Sequence, residues 1–330
     1  MSDWKVFLGT NEPHDGITRL PPPPAWRDYK TRRQRLRPSY YPDGHEVEMV
    51  NAALYLRRPL LVEGKPGSGK SSLAEAVAHE LGLGEVLRWN INSQSTLQEG
   101  LYSYDAVGRL RDAARRQATF LAPRGDHPPI SSDETEPIGD YLRLGPLGTA
   151  LYQLRRPRVL LIDEIDKSDI DLPNDLLHVF EEGEFEIPEL RRIARRHPIV
   201  RVLTADRRNP KEVRVLGGKV RCTAFPFILI TSNGERELPP AFFRRCLRLR
   251  LKDADESRIR RIVNTHLGEI NEEVLRSLIN KFFENGKGGR VVATDQLLNA
   301  LYLVTRDRVI TAEERVQLEA ALLQDLGGSA

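Results

Sequence analysis

Up to Asp253 the chain alternates short apolar runs with stretches whose apolar residues recur at helical spacing; beyond Asp253 only the helical spacing remains. The stretch HEVEMVNAALYLRRP places Val47, Val50 and Leu54 at that spacing and stops before Pro59. Leu60–Glu63 then reads as a short buried strand, and Ser71–Leu81 as a helix ended by Gly82. WNINSQST predicts a second strand running into a polar loop. Val159–Ile162 predicts a third strand, Phe225–Thr231 a fourth after a long irregular stretch, and Leu247–Leu251, apolar and basic in alternation, a half-buried fifth. Between them Leu147, Leu151 and Leu154 line one helix face, Pro173–Glu182 reads as a helix and Pro240–Arg244 as a short one. The remaining stretches, Ser257–Leu267, Glu272–Glu284, Thr294–Arg306 and Ala312–Leu326, all have helical periodicity. Repeated βα units followed by a run of helices predict an α/β sandwich with a helical second domain.

Three segments break the pattern. Residues 1–38 read as an arm, with an extended polyproline run at Pro21–Pro24 and the basic run RDYKTRRQRLR behind it. Residues 105–140, rich in proline, acid and serine, read as an irregular insertion. Residues 191–221 form a basic insertion. The domain boundaries expected from these shifts are 1–38 for the arm, 39–252 for the α/β core and 253–330 for the helical part.

Composition narrows little. An apolar content of 40% with 29% charge is that of an ordinary globular protein, and a net charge of +3 identifies no partner. Cys222 and Cys246 are the only cysteines, too few for a disulfide framework or a cysteine zinc site. The N-terminal stretch is polar and broken by Pro13 and Gly16, unlike a signal peptide, and the longest apolar runs are strand-sized, so a cytoplasmic protein is expected.

The chemistry starts at LVEGKPGSGKSSLAEA. Gly64, Gly69, Lys70 and Ser71 satisfy G-x-x-x-x-G-K-[ST] between a strand and a helix, the setting a phosphate-binding loop requires. Glycines let backbone N–H groups approach a phosphate that any Cβ would hold away, and the positive end of the helix adds to the attraction. The expected nucleotide-binding run is Gly64, Lys65, Pro66, Gly67, Ser68, Gly69, Lys70, Ser71 and Ser72, with Lys70 on the β/γ-phosphates and the Ser71 hydroxyl on Mg²⁺. A glycine turn closing a βα unit explains the glycines but not the Lys-Ser pair.

Val159–Glu164 is four apolar residues ending in two carboxylates, and ligands of an open α/β sheet lie at the carboxyl ends of its strands. Asp163 is placed to hold Mg²⁺ through water, and Glu164 to act as general base on the water attacking the γ-phosphate. Transfer of phosphate to a small molecule does not need that second carboxylate, so hydrolysis is favoured. No guanine-reading N-K-x-D run is present, which favours ATP. Asn233 follows an apolar strand as Asp163 does, so the two could lie side by side. Arg244 and Arg245 close the next short helix, where an arginine could serve a neighbour's γ-phosphate or simply lie on the surface.

The order GKPGSGKS, VLLIDE, ILITSN, AFFRRC and then a helical domain resembles an AAA+ ATPase, and GPLGTAL with RPRVLLIDEIDKSDIDLPNDLLHVFEEGEFEIPEL resembles its MoxR-type branch, over residues 42–310. The resemblance implies a P-loop NTPase αβα sandwich with a helical lid, ATP and Mg²⁺ as cofactors, and a homo-oligomeric ring, commonly a hexamer, with nucleotide between subunits. It further implies an ATP-driven chaperone or remodeller that matures or activates a partner protein, often with a von Willebrand factor A-type partner. Carried over by position, Lys70 and Ser71 belong to Walker A, Asp163 and Glu164 to Walker B, and Asn233 to sensor 1. Arg245 is the arginine finger, with Arg244 in reserve. Where the family has a lid arginine this chain has Val292 and Ala293, and Arg290 is the nearest arginine. Asn92 reads either as a polar switch restraining Glu164 or as a loop asparagine.

The insertion 191–221 contains Arg191, Arg192, Arg195, Arg196, Arg201, Arg207, Arg208, Lys211, Arg214, Lys219 and Arg221 against Asp206 and Glu212. Such a cluster suits acidic proteins or neighbouring subunits. It equally opens an alternative, a nucleic-acid remodeller or helicase-like motor, although the stretch has no aromatic stacking residues. A slow ATP-dependent switch is a third reading.

Overall fold

A computed structural model describes residues 5–7, 9–24, 26–28, 40–121, 138–152, 156–268, 270–287, 293–305 and 311–323. Contacts divide the chain into two units, one of Asp43–Glu63 and Val77–Arg250, the other of Met1–Pro42, Gly64–Ala76 and Leu251–Ala330.

The first unit holds the strands β1 (Leu60–Glu63), β2 (Leu87–Asn90), β3 (Tyr102–Tyr104), β4 (Leu142–Leu144), β5 (Val159–Asp163), β6 (Glu184–Glu186), β7 (Ile199–Leu203), β8 (Glu212–Leu216), β9 (Lys219–Arg221), β10 (Phe227–Ser232) and β11 (Leu247–Arg250). Its main sheet has the order β11-β1-β10-β5-β2, with every neighbouring pair parallel. Leu60, Leu61 and Leu160–Ile162 have no exposed surface, nor have Ile228–Ile230. Burial on both faces is why these strands are written as continuous apolar runs. Parallel pairing brings their carboxyl ends to one edge, and β10 lies against β5 with Leu229 opposite Leu161 and Ile230 opposite Ile162.

The second sheet, β3-β4-β7-β8-β9-β6, takes β6 to β9 from the long stretch before Phe225 that was expected to be irregular. Residues 191–221 are largely β-structure. β7 buries Val200 and Val202 while Ile199, Arg201 and Leu203 face out, and β8 buries Val213 and Val215 while Glu212, Arg214 and Leu216 face out. A Gly217-Gly218 turn joins β8 to β9. The arginines there take the outward positions of a two-residue alternation. Ala106–Leu121, also expected to be irregular, is a helix whose described side chains are mostly exposed. Residues 122–137 and Leu154 lie outside the described residues.

Helix Asp171–Glu182 shows the opposite case. Leu172, Leu176, Leu177, Val179 and Phe180 face the core, Asp175, Glu181 and Glu182 face away, and Gly183 ends it in the left-handed region.

The second unit is a bundle of Glu256–Leu267, Glu272–Lys287, Thr294–Thr305 and Ala312–Leu322 around Ile259, Val263, Leu278, Ile279, Leu297 and Leu301. Asp255 caps the first helix by accepting from the Arg258 N–H at 2.7 Å, and a Thr311–Glu314 capping box starts the last. Among the described residues no helix is long and apolar enough to cross a membrane.

Leu161 lies mid-sheet with no exposed surface. Leu161→Ala is expected to lower stability by about 2–5 kcal/mol, the usual cost of a buried leucine. Urea unfolding followed by circular dichroism checks this.

Candidate functional site

The phosphate-loop motif lies between β1 and helix Lys70–Glu80. Gly67 and Gly69 have φ of +74° and +91°, a region that L side chains rarely adopt, so the loop's curvature depends on those two glycines. A Cβ on Gly67 would lie 2.7 Å from the Ala293 Cβ, and one on Gly69 would lie 2.8 Å from the Tyr40 ring. Within the loop, the Ser68 N–H donates to the Lys65 carbonyl at 3.3 Å and the Ser72 N–H to the Gly69 carbonyl at 3.0 Å. Lys65 pairs with Asp253 at 2.7 Å.

Lys70 is 7% exposed, and its ammonium donates to the carbonyls of Gly64 at 2.6 Å and Lys65 at 2.9 Å. A buried cation is thus folded over the loop that follows β1. The Ser68 Oγ is buried without a hydrogen-bond partner among the described residues. A buried ammonium, an unsatisfied hydroxyl and glycines with positive φ fit a polyphosphate, which brings negative charge and acceptor oxygens to all three.

The acidic strand end is built around Thr231, which is fully buried. Its hydroxyl donates to Asp163 Oδ1 at 2.6 Å and accepts from the Glu164 N–H at 2.8 Å. One side chain of β10 therefore sets the orientation of a carboxylate and of the following backbone on β5. Glu164 is left-handed, with φ 62° and ψ 52°, a strained conformation for a residue with a Cβ. Its Oε2 accepts from Lys167 at 2.9 Å and its Oε1 from the Asn233 amide at 3.4 Å. The hydrogen bond to Glu164 raises the pKa of Lys167.

Asp166 ties the same two strand ends together from below. It is 3% exposed, and its Oδ2 accepts from the N–H groups of both Asn233 and Glu235 at 3.0 Å. Arg236 adds a donation to the Ser168 carbonyl at 2.7 Å.

Asp163, Glu164 and Asn233 are thus brought together on adjacent strands. Asn92 is not part of that group, since its Oδ1 accepts from the Gln94 N–H at 2.8 Å and its bonds stay within its own turn. Arg244 and Arg245 end helix Pro240–Arg245. Arg58 donates to the carbonyls of both, and Arg245 forms an ion pair with Glu181 that lowers the Glu181 pKa and raises that of Arg245. Arg290 lies outside the described residues.

Thr231, Asp166 and Lys167 were not anticipated. A threonine ending an otherwise apolar strand was the visible signal for the first. The partners of Thr231 and Asp166 depend on the register between β5 and β10, which a single sequence does not disclose, while Lys167 meets Glu164 three residues away within one turn.

The model of the AAA domain (dynein-related subfamily) matches residues 59–246, more than half of the chain. Among solved structures, that of PCH-2 from C. elegans is similar at 15% identity and a TM-score of 0.43, over 86% of this chain and 69% of that one. The matched span runs from the start of β1 to the residue after Arg245 and so takes in the glycine loop, the paired carboxylates and the asparagine strand; this chain belongs to the AAA domain family, dynein-related subfamily.

Proposed function

We propose that this chain is a cytoplasmic, Mg²⁺-dependent ATPase that works as a homo-oligomeric ring and remodels, matures or activates a partner protein. The observation supporting hydrolysis most directly is the Asp163–Thr231–Glu164–Asn233 network, in which two carboxylates at one strand end are separately oriented. In this reading the N–H groups of Gly64–Ser72 and the Lys70 ammonium bind the triphosphate. Ser71 and Asp163 hold the magnesium ion, which when bound neutralises phosphate charge. Glu164 takes a proton from the attacking water, and Asn233 orients both that water and the carboxylate. Lys167 and Asn233 each engage one oxygen of Glu164, which leaves a lone pair on each oxygen to accept that proton.

Arg245 is assigned to the γ-phosphate bound by a neighbouring copy, with Arg244 in reserve. In the single chain Glu181 holds Arg245, so assembly would exchange a carboxylate partner for a phosphate. Residues 39–252 serve as the nucleotide core and 253–330 as its lid. The resemblance to the MoxR-type branch supports a protein client met through a von Willebrand factor A-type partner.

The basic stretch supports the same choice. Arg191 pairs with Glu186, Arg201 with Glu212, Arg208 with Glu85, and Lys219 and Arg221 with Glu184. Five of its cations are therefore already matched by carboxylates, which weakens the case for a phosphate-backbone track.

Two sets of measurements test the proposal. In calorimetric titration with ATP-Mg²⁺, Lys70→Ala is expected to lose at least 100-fold in affinity. Glu164→Gln should bind ATP like the parent yet turn over at least 100-fold more slowly. A Glu164→Gln variant hydrolysing at the parental rate would remove the general-base assignment. For the shared site, turnover per protomer should rise with protein concentration. Arg245→Ala should lose turnover while keeping ATP affinity, and mixing it with Glu164→Gln should restore activity; mixtures that stay inactive would place the whole site within one chain.

A further inference from the structure

The proline run of the N-terminal arm is docked within the helical unit. The Pro22 carbonyl accepts from the Tyr302 hydroxyl at 2.7 Å, and the Trp26 indole N–H donates to Asn299 Oδ1 at 3.1 Å. The Trp26 ring meets His266 edge-on at 5.9 Å between centroids and Tyr302 at 5.7 Å. Between these anchors the Arg27 and Asp28 N–H groups fold back onto the Pro24 carbonyl at 2.7 and 3.0 Å. Further up the arm, Lys5 pairs with Glu314 at 2.8 Å.

These contacts have the character of peptide recognition. A proline run is already extended before it binds, so it loses little conformational freedom on docking. One hydrogen bond reads a carbonyl of the run and another reads the edge of a large ring four residues later, while aromatic side chains flank that ring. This is how extended proline segments are held in aromatic-lined grooves. Trp26 is only partly buried, and it packs on the outside of a core whose fully buried members all come from the helices.

We propose that His266, Asn299 and Tyr302 line a recognition groove for a proline-rich segment with a tryptophan anchor, that the arm is its tethered resident, and that a partner protein presenting the same chemistry displaces it. The arm rejoins the described chain at Tyr40, with only eleven residues between it and Asp28, so the resident competes at an effective concentration of about millimolar. A partner segment takes its place when it binds the groove more tightly than the arm does. The proposal is independent of nucleotide hydrolysis, and its test needs no ATP.

The probe is a fluorescein-labelled peptide of residues 18–28, TRLPPPPAWRD, titrated by anisotropy against the full chain. Trp26→Ala empties the groove and should bind the peptide at least 10-fold more tightly than the parent. Trp26→Phe keeps an aromatic ring for packing but loses the indole donor, and should give an intermediate affinity even if Trp26→Ala folds poorly. Adding Asn299→Ala or Tyr302→Phe to the Trp26→Phe chain should weaken that binding at least 5-fold. Equal affinity for parent and both Trp26 variants would place the peptide elsewhere and overturn the proposal. Failure of the peptide to bind Trp26→Phe, with its helix content intact, would overturn it equally by making the arm contact purely structural.

Discussion

The hydroxyl of Thr231 is the contact on which the acidic site depends. It lies in a fully buried position at the end of β10, where an unsatisfied polar group would be costly, and it has two partners on β5. Donating to Asp163 and accepting from the Glu164 N–H, it joins a carboxylate to the backbone turn that carries the next one. The left-handed conformation of Glu164 is held by that bond and by the Lys167 N–H, which closes the turn on the Glu164 carbonyl at 3.0 Å. A strained residue survives where its surroundings over-determine it, and here one bond from β10 and one from the turn after β5 do so.

Asp166 makes the same join one turn later. Two backbone N–H groups of the β10 exit loop converge on one of its oxygens, fixing the start of the segment from which the Asn233 amide reaches Glu164. The ends of β5 and β10 therefore behave as one piece, and Glu164 is the member of it with alternative partners. Its ion pair with Lys167 is 41% exposed on both sides, a setting in which such a pair is worth little to stability.

The main sheet was legible because its strands are buried on both faces, so Leu60–Glu63, Val159–Ile162 and Phe225–Thr231 read as apolar runs close to their observed bounds. The second sheet was missed for a physical reason. Ile199–Leu203 and Glu212–Leu216 alternate inward valines with outward residues, but two of the outward residues are arginines within a stretch crowded with them. Charge density then masked the two-residue period, the better guide to structure. At the site, the glycine loop and the Asp163-Glu164 pair stand out in the sequence because each is a short contiguous run next to an apolar strand. Thr231 and Asp166 do not, because their roles arise from strand register, and register is a property of pairing between distant segments.

The same distinction separates charge on the chain from charge on the surface. Residues 191–221 hold a large excess of cations in sequence, yet Glu85, Glu184 and Glu186 come from outside the stretch to meet several of them. Glu184 alone pairs with both Lys219 and Arg221, because β6 and β9 lie antiparallel with Glu184 opposite Arg221 and Glu186 opposite Lys219. Strand pairing thus converts a run of positive charge into a lattice of opposite neighbours. Outside those pairs Arg192, Arg195, Arg196, Arg207, Lys211 and Arg214 stay exposed, and Arg214 lies beside the exposed aliphatic side chains of Ile199, Leu203 and Leu216. On that β7–β8 face cationic and aliphatic side chains alternate, because one strand pairing sets both on the outward side.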